Sequence, residues 1–272
     1  MISEYINIAN ILQSLQNIVK NIQNTSLFCF SLLITSWSIC YAQSDFITIE
    51  ASQDNTLYET DNPTPLSNGA GQQLFFGLTG VNAGNVLRRT VLSYDLTAIP
   101  TGTEILSAEL RITVNMVPGS GQAIELTANL HRLTNNWGEG SSDAPGPEGG
   151  GTTATLNDAT WIHTFFDPAN PNLNLWADEG GDFLATPSAS TTIDSNLGSF
   201  TFSSTQLLDD VIDMINNPND NFGWIIIGDE TTNNNARRIA SRENSNMADH
   251  PVLVIQTPAE VFFVDGFEAI PN

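Results

Sequence analysis

Three stretches of this chain gather side-chain oxygens in the way a hard cation requires. Glu50 stands with Asp54 and Asn55 near the Asn68-Gly69 pair, Asn217 and Asp220 stand with Asn221, and Asp229-Glu230 stands with Asn233, Asn234 and Asn235. Calcium takes about six to eight oxygens from carboxylates, amide carbonyls and backbone, commonly gathered by irregular loops. Each group is therefore a candidate calcium site. The same residue types also make Asx turns, in which the side chain bonds local backbone, and the second group reads equally as a helix-to-strand turn. Metal and turn chemistry stay open at all three.

Sugar-binding chemistry needs an aromatic face for the C–H side of a pyranose and polar groups that fix its orientation. Trp176 lies in NLNLWADE, inside a long polar stretch, and is expected to be an exposed platform; burial beneath that stretch is its other reading. Trp224 sits in the apolar run FGWIII and is expected in the core. Arg238 and Arg242 fall on one face of an expected strand and could grip a ligand carboxylate. An ion pair with a neighbouring acid such as Asp95 competes with that role. No HExxH, GxSxG or Walker pattern is present, and His131, His163 and His250 are scattered. The chain is therefore expected not to be an enzyme.

The elements that must position these residues are mainly strands. Residues 46–50, 91–94, 105–114 and 124–130 alternate apolar with polar, and in the third Ala108, Leu110, Ile112 and Val114 share one face. A period of two means half-buried antiparallel strands. Further strands are expected at 160–165, 222–227, 236–241 and 251–256. Leu207, Leu208, Val211, Ile212 and Ile215 recur at helical spacing instead, with Ser203 and Gln206 as a capping pair and Pro218 after the end. One short helix, about 205–216, is expected against an all-β body. Residues 135–158 and 167–194 are long and irregular, as functional or mobile loops are.

The N-terminus reads as a targeting segment. Residues 27–39, LFCFSLLITSWSI, are apolar and are followed by Cys40-Tyr41-Ala42, which predicts a signal peptide cut after Ala42, with a true start near Val19 as a variant. The run is shorter than the roughly 20 apolar residues a membrane span needs. Both cysteines, Cys29 and Cys40, would leave with it, so no disulfide is expected in residues 43–257, and residues 258–272 read as a tail. The formal net charge is −22. A surface that acidic repels nucleic acid and anionic membranes. The expectation is an extracellular, secreted protein with no membrane insertion after cleavage.

Several blocks resemble a known family. RRTVLSYDLTAIPTGTEILSAELRITV, LHRLTNNWGEG, NFGWIII and ARRIASRENSNMADHPVLVIQ follow one another in the order found in the DNRLRE domain, which is similar to carbohydrate-binding module family 96. The resemblance implies a jelly-roll β-sandwich, usually with calcium near its first strand. It thereby favours Glu50, Asp54, Asn55 and Asn68 as metal ligands. Trp137 belongs to the second of these blocks, and the stretch around Trp161 resembles the tryptophan strand that follows it in the family; both read first as packing residues, with ligand binding as the other role for Trp137. The implied function is a non-catalytic module that attaches to extracellular or cell-surface polysaccharide. A structural or adhesive protein acting through protein contacts is the alternative, and a polysaccharide-degrading enzyme comes third.

Overall fold

A computed structural model describes residues 44–61, 63–119 and 124–259. The expected signal peptide and most of the tail lie outside them. In chain order the elements are β1 (Ser44–Glu50), β2 (Gln53–Tyr58), β3 (Leu66–Ser67), β4 (Gln73–Leu78), β5 (Leu87–Ser93), β6 (Ser107–Met116), β7 (Leu126–Arg132), β8 (Thr152–Thr153), β9 (Ala189–Ile193), β10 (Gly198–Ser203), α1 (Thr205–Asn216), β11 (Trp224–Ile227), β12 (Arg237–Ala240) and β13 (Val252–Pro258).

The fold is an all-β antiparallel sandwich with one short helix. On one side β1 pairs with β13 and β13 with β6, whose other neighbours are β10 and β12. On the other side the order runs β2, β5, β11, β7, β9. Strand β4 joins the two. Its residues Gln73 to Phe76 pair with β12, whereas Gly77 and Leu78 pair with β5. The change of sheet falls at Gly77, where φ is +102° and a Cβ would stand 3.2 Å from the Ala236 backbone. A glycine is needed there because other residues rarely adopt that φ.

The alternation in β6 does what its period dictates. Ala108, Leu110, Ile112 and Val114 are buried between the sheets with Leu92, Trp224 and Ile226 from the opposite side. Strand β11 is apolar without alternation because both its faces are covered. Ile225 points away from the main core into a second one, formed with Leu57, Val91, Leu133, Trp137, Ala159 and Trp176 beneath the long segment between β7 and β9.

The helix lies where its periodicity predicts, with Leu207, Val211, Met214 and Ile215 buried in the main core. Its cap is one residue later than expected. Ser204 Oγ accepts from Leu207 N at 3.0 Å, while Gln206 bonds Asp210 in its own helix. The expected strand at 160–165 is a turn instead. Thr160 N donates to His163 O, and the Thr160 hydroxyl meets His163 Nδ1 at 2.8 Å. Strands β2, β9 and β10 were not expected, because QDNTLY, ASTTI and GSFTFS carry more polar than apolar side chains. Among the described residues no helix is long and apolar enough to cross a membrane.

Candidate functional site

Asp54 is the second residue of β2, fully buried, although an aspartate in a strand is unfavourable by propensity. What holds it there is a pair of hydrogen bonds to two distant segments. Asp54 N donates to Glu139 Oε1 at 2.9 Å, and Asp54 Oδ2 accepts from Arg242 N at 2.7 Å. Arg242 also reaches both other acids, with Nε 3.4 Å from Glu139 Oε1 and Nη1 2.8 Å from Glu243 Oε1. Carboxylate oxygens of Asp54, Glu139 and Glu243 lie within 4.8 Å of one another. Among the described residues this is the one such group of three acids or histidines.

Each acid arrives from a different part of the fold. Glu139 follows β7 in WGEG, and its carbonyl accepts from Asn55 Nδ2 at 3.0 Å. The next residue, Gly140, has φ +72°, and a Cβ there would overlap the Asp158 carboxylate at 1.6 Å. That glycine is what lets the turn close on Asp158. Glu243 lies in the turn after β12, fixed by its N–H to Ser241 Oγ at 3.1 Å.

Three carboxylates against one guanidinium leave the cluster negatively charged in a poorly hydrated place. Burial pushes the Asp54 carboxyl well above its usual range, and the Glu243 charge adds to this. Burial likewise raises Glu139 to about 7 against the pull of the Asp54 N–H and of Arg242, and it raises Glu243. Two oxygens have no partner although they are buried, Asp54 Oδ1 and Glu243 Oε2.

The expected ligand set is only partly assembled here. Asp54 belongs to it. Glu50 does not: it ends β1 with an exposed carboxylate 3.6 Å from His250 Nδ1. Asn55 and Asn68 are buried beside the cluster but bond backbone. Asn55 Oδ1 accepts from Thr56 N and Asn68 N, and Asn68 Oδ1 accepts from Ala144 N at 2.7 Å. Both asparagines thereby tie together segments far apart in the chain, which is not the local bonding of an Asx turn. Glu139 and Glu243 stood in recognisable blocks of sequence without being expected as ligands. No spacing links residues 54, 139 and 243.

The other expected site residues are dispersed. Trp176 is 5 % exposed, with its indole N–H donated to Thr160 O at 2.9 Å, so it is a core side chain and not a surface platform. Trp137, 1 % exposed, gives its N–H to Phe222 O. Both rings are buried because the long segment folds down on β11 and β5 instead of standing away. Arg238 and Arg242 do not share a strand face, since β12 ends at Ala240. Arg238 Nε donates to Asn115 Oδ1 at 2.7 Å. Asp95 pairs with neither; it caps Thr97 N and the Thr97 hydroxyl. In the second oxygen-rich group Asn217 bonds Asp213 and Asn221 bonds Tyr94 O, as a helix-to-strand turn requires.

A separate recess offers space for a ligand. Glu59, Thr60, Asp61 and Leu66 line both of two hollows and form the ridge between them. The larger, about 610 Å³, has an apolar floor of Phe75, Ala83, Val86 and Met116 with Glu59, Asp61 and Asn234 around it. The smaller, about 290 Å³, is lined by Trp161, Ile162 and Glu179. Trp161 is half-buried, with the Arg89 guanidinium stacked 5.0 Å from its ring centre. The wall between the hollows is firm, since Tyr58 donates to Glu148 O and Arg88 lies over the Tyr58 ring and donates to Glu59 O.

No family model and no curated protein matches this chain.

Proposed function

We propose that this chain is an exported, non-catalytic binding domain that holds a polysaccharide along the Glu59–Leu66 ridge. The observation that carries this reading is the double hollow itself. Its apolar floor suits the C–H face of a sugar ring, Trp161 supplies an aromatic wall, and carboxylates and amides at the rim suit hydroxyl donors. The ordered blocks that resemble the DNRLRE domain support the same reading, and so does an acidic surface unsuited to nucleic acid. Retention on insoluble polysaccharides and a glycan array test it. Asp61→Ala and Met116→Asp, both in the lining of the larger hollow, should weaken retention at least about tenfold, the loss of roughly one good contact. Absence of retention on every glycan would overturn it.

One observation favours the adhesive alternative. Strand β1 ends its sheet, has no described strand on its outer edge, and exposes Phe46 at 65 %. Unblocked edges of this kind pair with other chains. Sedimentation over a range of protein concentrations distinguishes the readings, because a monomeric glycan binder keeps one sedimentation coefficient throughout.

A further inference from the structure

We infer that Asp54, Glu139 and Glu243 together hold one divalent cation of the calcium class, and that this ion fastens β2, the turn after β7 and the turn after β12 to one another. Clustered acids alone would not support this. The decisive feature is Asp54 Oδ1, which has no hydrogen-bond donor although its side chain has no solvent exposure and its carboxylate lies within 4.8 Å of those of the other two acids. A buried carboxylate oxygen without a partner is costly, and Glu243 Oε2 is in the same condition. The Tyr94 hydroxyl, also buried and unpartnered, lies near enough for the Asp54 charge to act on it.

Charge and donor type select the ligand. Three carboxylates and the Arg242 guanidinium sum to −2, the charge one divalent cation cancels. A donor set made only of oxygen suits calcium, magnesium or manganese better than zinc or copper. Glu139 and Glu243 keep side-chain exposures of 19 % and 23 %, so the site opens to solvent on their side and water can complete the coordination. Asp54 and Glu139 are 85 residues apart, and no cysteine falls among the described residues, so the ion would be a long-range fastening where no covalent one exists.

The test is thermal melting of the processed protein after chelation and dialysis, followed by titration with calcium, magnesium, manganese and zinc, with stoichiometry from calorimetry. A single site is expected, with a rise in midpoint of about 5–10 °C once calcium exceeds its dissociation constant by roughly a hundredfold. Asp54→Asn and Glu243→Gln should each abolish the rise. The second variant is partly exposed and covers the case in which the first does not fold. Asp209→Asn, which removes the same charge from the exposed face of α1, should keep it. A midpoint that no cation moves, or a rise that persists in Glu243→Gln, would overturn the inference. Glycan retention is measured separately, so failure here leaves the ridge proposal to its own test.

Discussion

The cluster at Asp54 and the turn at Asp229 each centre on an aspartate and end in opposite electrostatic states. At Asp229 one carboxylate oxygen accepts from Thr231 N, Thr232 N and the Thr231 hydroxyl, at 2.9, 3.0 and 2.7 Å, and the other accepts from Asn235 Nδ2. Burial acts to raise this carboxyl, but the threonine bonds prevail and hold it well below its usual value. At Asp54 burial is complete and the donors are too few, so the carboxyl is raised instead. A carboxylate that its own loop saturates has nothing left to offer a ligand. One that the fold buries and leaves half-bonded still needs a positive charge.

The strongest way to break this contrast is to remove the frame that holds the Asp54 cluster. Asn55 connects Ser67, Glu139 O, Thr56 N and Asn68 N. Asn55→Ala should cost about 2–4 kcal/mol, because several buried groups lose partners at once, and chemical denaturation measures it. The corresponding change at the saturated turn is milder. Asp229→Ala removes an acceptor from four donors near the surface and should cost about 1–2 kcal/mol at neutral pH. An equal or larger loss at Asp229 would mean that the two sites differ less than their hydrogen bonds indicate.

A substitution of the opposite sign sharpens the comparison. With a chelator present, Glu243→Gln removes one of three crowded negative charges and should stabilise the protein by about 1 kcal/mol, read as a higher melting midpoint. No such gain is expected from Asp229→Asn, which loses acceptor strength and relieves no repulsion.

A further expected effect is in the pH profile of the chelated protein. Glu139 titrates at about 7 in the fold, against about 4.3 when exposed. The folded state therefore binds more protons between those values, and stability should fall as pH rises through that window. Asp229 acts in the reverse direction. Its folded value is depressed, so its contribution is present above the ordinary aspartate value of about 3.9 and is lost as pH falls below it. Melting midpoints between pH 4.5 and 8, with Glu139→Gln for comparison, should show the first slope and its reduction in the variant, the remainder coming from Asp54 and Glu243, which burial also raises.

The sequence by itself determined the parts whose cause is local. The alternation of residues 105–114 produced β6, the spacing of Leu207, Val211 and Ile215 produced α1, and the apolar run at Trp224 produced a strand covered on both faces. Each follows from a periodicity that a dozen neighbouring residues carry. Only the tertiary structure decided the fate of the polar residues. It placed QDNTLY inside a sheet, folded Trp176 into a second core, and closed residues 54, 139 and 243 around one point. Those outcomes depend on which distant backbone groups meet each side chain, and a carboxylate is either satisfied or left wanting by partners that its own neighbourhood in the chain does not contain.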